Sequence, residues 1–162
     1  MRTALLLERF AAVFALLGCT GQGLPTGVAH AGVPVSFKLT ATAYVAGEIG
    51  QATLIPENGA TRIALNSSGV PRNTTQPVHV YTYLYEGRCS ELTTKPAHSL
   101  NKRVLVSTPS GRTGDGVRGP FQLSHAVPLR IDELLSGRFA LGLRTAPADG
   151  DHLIYCGELR TS

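Results

Sequence analysis

The sequence predicts an all-β domain, an antiparallel Greek-key β-sandwich or barrel with one short helical turn near residues 131–136. Three observations carry that expectation. From Pro34 onward apolar and polar residues alternate with period two, the pattern of strands that bury one face. Gly (18) and Pro (10) are frequent enough to close many turns. About eight short strand-like runs follow one another, with turn signals every 8 to 12 residues or so, which suits a sandwich better than βαβ units.

Each element can be justified in order. Val35, Phe37, Leu39, Ala41, Ala43 and Val45 point one way, while Ser36, Lys38, Thr40, Thr42 and Tyr44 point the other. Gln51 to Ile55 and Thr61 to Leu65 flank Pro56-Glu57-Asn58-Gly59, whose Asn-Gly pair supplies positive φ, so the two runs form a hairpin. Asn66 to Gln76 is a polar loop. Pro77 to Glu86 is β-rich, with Tyr81, Tyr83 and Tyr85 on one face and Val78, Val80 and Leu84 towards the other. Arg103 to Ser107 and Phe121 to Val127 are shorter strands. Ile131 to Gly137 has the composition of one helical turn stopped by glycine. Phe139 to Arg144 and His152 to Leu159 close the chain as strands, and no internal repeat is visible.

Composition narrows the functional classes. Of 162 residues 16% are charged and 43% hydrophobic, which excludes a disordered polyelectrolyte and a coiled coil. No apolar run reaches the roughly 18 residues of a membrane-spanning helix. Fifteen basic against 11 acidic side chains give a net charge of +4, too small and too scattered for a nucleic-acid surface.

The first residues read as an address label. Arg2 and Arg9 precede a short apolar stretch, Phe10 to Gly18, the layout of an export signal. Leu16-Leu17-Gly18-Cys19 resembles a bacterial lipoprotein cleavage box, in which Cys19 becomes the lipidated first residue, although Leu17 is bulkier than usual there. Ala29-His30-Ala31 offers an ordinary signal-peptidase site instead. The expected organisation is an export signal over 1–18 (or 1–31 if cleavage follows Ala31), a Gly/Pro/Thr-rich tether over 19–33, and a single domain over 34–162. The expected location is the bacterial cell envelope, lipid-anchored or periplasmic or secreted.

Three cysteines are present, and Cys19 is removed or lipidated in either case. The remaining pair, Cys89 and Cys156, reads as a disulfide in an exported chain. The loop it closes is 67 residues, 156 minus 89. Chain entropy values that closure at about 4 kcal/mol.

Several pieces then occur in the order of the copper/zinc superoxide dismutase-like fold and of related chordin-type domains. They are Gly50-Gln-Ala-Thr-Leu, Val78-His-Val80, Gly87-Arg-Cys89, Leu134-Leu-Ser-Gly-Arg-Phe-Ala-Leu-Gly142 and Tyr155-Cys-Gly-Glu-Leu159. The chain resembles that family over roughly Val35 to Leu159. The resemblance implies that Cys89, after the His-bearing strand, bridges to Cys156-Gly157 in the last strand. It does not carry the chemistry across. The family's His-x-His pair reads His79-Val80-Tyr81 here. Only His79, His98, His125 and His152 lie in the 34–162 domain, too few for the two-metal site, and Leu153 stands where the family has an active-site arginine. A relative without dismutase activity, and without a resident cofactor, is the expectation.

Two alternatives remain open. In the first, His79 and His98 are candidate metal ligands. His79 and Tyr81 share a strand face and suit copper, with His125 and His152 as further donors; the blander reading leaves these side chains on a half-buried sheet face. In the second, Arg62, Arg72, Arg88, Arg103, Arg112 and Arg118 meet an anionic envelope partner, against the simpler reading of a solvated basic face. Gly114 to Gly119 matches a dinucleotide pattern but runs into Pro120 without a helix, and Asp149-Gly-Asp151 is too small an oxygen set for calcium, so both read as turns. Asp132 and Glu133 suit a helix start, not a catalytic pair. The preferred expectation is an exported, disulfide-braced, non-catalytic binding or structural domain. Its partner is an envelope protein or surface ligand, with no nucleic acid, and membrane contact comes only through an N-terminal lipid.

Overall fold

The computed structural model describes residues 32–107 and 119–161. The expected export signal, Cys19, the Ala29–Ala31 site, Arg112, Arg118 and most of the Gly114–Gly119 loop lie outside the described residues. Among the described residues nine strands form one antiparallel sheet: β1 Val35–Ala41, β2 Gly50–Glu57, β3 Ala60–Ser67, β4 Val78–Glu86, β5 His98–Ser99, β6 Leu105–Ser107, β7 Phe121–Val127, β8 Ser136–Thr145 and β9 Leu153–Arg160. A four-residue helix, α1 (Ile131–Leu134), and two 3-10 turns, Ala43–Val45 and Pro147–Asp149, complete it. The expected all-β antiparallel class is what the chain adopts.

The spatial order is β4-β8-β9-β1-β2-β3-β7, with β5 and β6 both on the outer edge of β4. Consecutive strands β1, β2 and β3 form a meander; β3→β4, β6→β7 and β7→β8 cross between its two halves, giving the Greek-key path. The sheet curls until its two edges, β6 and β7, approach one another without pairing, so it is a half-barrel with an open seam.

The β2–β3 hairpin forms as its sequence predicts, with Glu57 opposite Ala60 and Gly59 at φ 73°. Pro56 belongs to β2 rather than to the turn. It is tolerated because β1 pairs with β2 only as far as Leu54, so no strand on that side needs an N–H from residue 56. The first strand is shorter than the alternation suggests. It ends at Ala41, where the Thr42 N–H donates to the Ile154 carbonyl and its hydroxyl donates to the Leu153 carbonyl. The following 3-10 turn then folds Val45 into the core. β5 has no counterpart in the sequence reading.

The core fills the concave side. Leu39, Leu54, Ile63, Val78, Val80, Leu84, Leu141, Leu143 and Leu159 come from six of the strands that line it, and α1 inserts Leu134. On β4 the alternation is strict. Val78, Val80, Thr82 and Leu84 are buried inward, and His79, Tyr81 and Tyr83 are half-buried on the outer face.

β1 joins the two halves of the sheet, pairing with β2 over Val35–Leu39 and with β9 over Thr40–Ala41. Backbones crowd at that corner. A Cβ on Gly50 would lie 2.7 Å from the Tyr155 ring, and one on Gly157 would lie 2.5 Å from Leu39 Cδ2. Tyr155 itself is fully buried, and its hydroxyl donates to the Ser68 carbonyl at the end of β3. Gly50→Ala should therefore destabilise the domain by about 1–3 kcal/mol through overpacking against a ring that has nowhere to go. Tyr155→Phe should cost about 1–2 kcal/mol by orphaning the Ser68 carbonyl. Urea unfolding of the three proteins checks both, and an unchanged midpoint in Gly50→Ala would remove the corner argument.

Candidate functional site

Two places on the domain gather chemically capable side chains, one on the outer face of the sheet and one at its open seam. On the outer face, β4, β8 and β9 bring Tyr81 opposite Arg144, Tyr83 opposite Gly142, and Gly142 opposite Cys156. Because Tyr155 points into the core, Cys156 points outward, and there it bonds to Cys89. Cys89 reaches it from the turn after β4. Gly87 (φ 104°) donates its N–H to the Arg138 carbonyl, and the Glu91 N–H closes back on the Arg88 carbonyl. The bridge expected from the sequence is thus formed, across the strand that separates β4 from β9.

Tyr85 packs beside the bridge and is 3% exposed. The missing side chain of Gly142 makes its room, since a Cβ there would lie 2.9 Å from the Tyr85 ring. Burial pushes the Tyr85 phenol up, against the pull of the Arg144 guanidinium. Arg144 is held in turn by Asp151, with Nε donating to Oδ1 at 2.9 Å and an Nη donating to the Asp151 carbonyl at 2.6 Å. Asp149 accepts from the Thr75 N–H at 2.9 Å and from its hydroxyl, which holds its carboxyl below the usual range, with a smaller contribution from His79. Both carboxylates of Asp149-Gly-Asp151 thus serve as turn and strand anchors.

The metal candidates are separated. His79 lies with Tyr81 on the outer face of β4, as expected, whereas His98 on β5 is opposite Leu84 and so belongs to the inner side. His152 stacks on Tyr44 at a ring distance of 4.2 Å. His125 is on β7, 5% exposed. Among the described residues, no group of three or more His, Cys, Asp or Glu side chains is placed to hold a metal ion.

The second place is the open seam. A cleft of about 760 Å³ lies there, lined by Glu57 and Arg62 from the β2–β3 hairpin, by His98, Lys102 and Arg103 from β5 and the segment after it, and by Ser124 and His125 from β7. His98 and His125 thus share a site that their sequence positions do not suggest. Of the arginines singled out from the sequence, Arg62 and Arg103 converge here, while Arg72 and Arg88 are exposed outside this lining. Lys102 and Glu57 carried no signal of their own in the sequence. Arg62 is paired with Glu57, whereas Lys102 and Arg103 make no salt bridge among the described residues. The His125 Nε2 has no hydrogen-bond partner among the described residues. Burial, and then the charge of Arg103, push the His125 imidazole down to about 4.

That shift has a definite sign. An unfolded histidine takes its proton near pH 6.5 and the folded one near 4, so between those values the unfolded state binds more protons and stability falls as pH falls. The whole effect is at most about 3 kcal/mol, complete by about pH 4. Asp132 and Asp149, both held low, lose their contributions only below the ordinary carboxylate range, outside this window. Denaturant unfolding at pH 7 and pH 4.5 should show the loss in the wild type and a much flatter profile in His125→Leu. Parallel profiles would mean that His125 is not held neutral.

Comparison with known proteins matches the chain to no family model, no curated protein sequence and no solved structure.

Proposed function

We propose that the chain is an exported, disulfide-braced β-domain with a binding or structural role in the bacterial cell envelope, and that it does no catalysis. The observation that carries this reading is the Cys89–Cys156 bridge. Disulfides persist in oxidising compartments and are rare where thiols are kept reduced. A domain whose last strand is tied to a loop beyond β4 has a covalent clamp suited to life outside the cytoplasm. The basic start and apolar stretch before Cys19 support the same destination, with Cys19 as the lipid attachment point.

We read the domain further as a non-dismutase relative of the copper/zinc superoxide dismutase-like fold. Support comes from the bridge joining the turn after the His79 strand to the Cys156-Gly157 ending. It also comes from the separate placement of His79 on the outer face of β4, His98 at the seam and His152 against Tyr44.

Expression of the full chain in a bacterium with an oxidising envelope tests the reading. The expected product is membrane-associated, carries a lipid on Cys19, becomes soluble in Cys19→Ala and has no free thiols. A mass beginning at Gly32 would replace the lipid anchor by ordinary cleavage, and cytoplasmic retention with reduced cysteines would overturn the reading. Cys89→Ser should lower the unfolding free energy by roughly 2–4 kcal/mol, and reductant should do the same to the wild type only. Copper titration of the oxidised protein should show no stoichiometric binding; one copper per chain, lost in His79→Ala, would revive a redox role.

A further inference from the structure

We infer that the seam cleft between β7 and the β5–β6 segment is an anion-binding site, which takes the phosphate or carboxylate group of a small ligand or of an anionic chain. The inference rests on the binding reading above and names the site and the ligand chemistry.

Four features meet there. The cleft, at about 760 Å³, has the size of small-molecule sites, whose usual range is roughly 300–1,000 Å³. Its charge is one-sided. Glu57 is already engaged by Arg62, so Lys102 and Arg103 contribute positive charge that no carboxylate among the described residues offsets. Its wall holds a buried, unpartnered donor-or-acceptor nitrogen, the Nε2 of His125. A buried polar group left without a partner costs about 1–3 kcal/mol, so this imidazole sits in the cleft wall at a cost that the fold alone does not offset. Finally, the cleft lies where the sheet fails to close, so its opening is part of the fold rather than a surface dimple.

The electrostatics agree with the geometry. Arg103 depresses the His125 pKa beyond what burial does, which reports a positive potential at the imidazole. A bound oxyanion reverses that field and favours the protonated ring. The groups that face His125 and set the balance are Glu57 and Arg62 on the hairpin, and His98, Lys102 and Arg103 on the opposite side. Guanidinium and ammonium donors to phosphate or carboxylate form the stronger class of hydrogen bonds, worth about 1.5–3 kcal/mol each. On the outer face Arg144, by contrast, is already engaged by the Asp151 carboxylate and carbonyl.

The test uses the oxidised full-length protein, with imidazole resonances of the histidines followed by NMR during titration with inorganic phosphate, citrate, short-chain polyphosphate and, as a neutral control, maltose. The expected result is saturable shifts of His98 and His125 with an anion, with His79 and His152 unmoved and no response to maltose. Arg103→Gln and Lys102→Gln should each weaken binding about tenfold, the worth of one charge-assisted hydrogen bond, while Arg88→Gln on a distant turn leaves it unchanged. Once protonation of the ligand itself is subtracted, the gain in affinity between pH 7 and pH 5 should be larger in the wild type than in His125→Leu. Tighter binding of polyphosphate through the same residues assigns a polymeric partner; saturation by phosphate or citrate with no gain from the chain assigns a small ligand. No saturation by any of the three anions overturns the proposal, and so does equal weakening by Arg88→Gln, which would mean diffuse attraction to a basic surface. Failure here leaves the envelope assignment standing, because that is read from fractionation and intact mass.

Discussion

β1 belongs to both halves of the sheet, and the packing at its end fixes where the other strands lie. Its first five residues hydrogen-bond to β2 and its last two to β9, so the sheet must bend at Leu39. Bending brings β2 and β9 close behind that residue, and the approach is possible only because Gly50 and Gly157 present no side chain there. Tyr155 occupies the space left, and its hydroxyl fastens the corner to the end of β3. A fully buried phenol would be costly without a partner, and the Ser68 carbonyl supplies one. The corner is thus both tightly packed and satisfied in its buried hydroxyl.

Two consequences follow from curling the sheet about that corner. Residue 156 turns outward because residue 155 turns inward, and this places its sulfur over Gly142 within reach of the turn after β4. The disulfide thus clamps the convex side of the same curvature that Tyr155 sets on the concave side. The second consequence is at the far end. A sheet held tightly at β1 and β9 brings β7 round towards β4, but β5 and β6 are only two and three residues long and do not complete a ladder to it. The seam remains open, and side chains from distant parts of the chain face each other across it.

These causes also explain what was legible in the sequence. Local signals were reliable where the structure is decided locally. Asn58-Gly59 dictated the hairpin, the alternation Val78-His79-Val80-Tyr81 dictated the faces of β4, and the odd cysteine count isolated Cys89 and Cys156. The end of β1 was not legible, because alternation runs on to Val45 while two hydrogen bonds from Thr42 to β9 stop the strand at Ala41. β5 was invisible for the same reason, since two residues carry no period and exist as a strand only by pairing with Tyr83 and Leu84. The histidines could be counted but not sorted. Which face each one occupies follows from strand parity and curling, and parity placed His79 outside while curling brought His98 and His125 together.

His125 shows how this sorting bears on function. Every other inward position along β7 that is fully buried, Phe121 and Val127, is apolar and adds to the core without cost. An imidazole at the same depth must stay neutral, next to an arginine that makes protonation harder still, and one of its nitrogens gains nothing within the protein. An aliphatic side chain would avoid both costs. The penalty therefore falls at a buried position that borders the seam, where Lys102 and Arg103 also stand unpaired among the described residues. Lys102 and Arg103 line the opening with positive charge beside a ring held neutral, and a negatively charged group at that opening answers both. A hydrophobic or cationic ligand answers neither, and that selects the chemistry of what this half-barrel is shaped to hold.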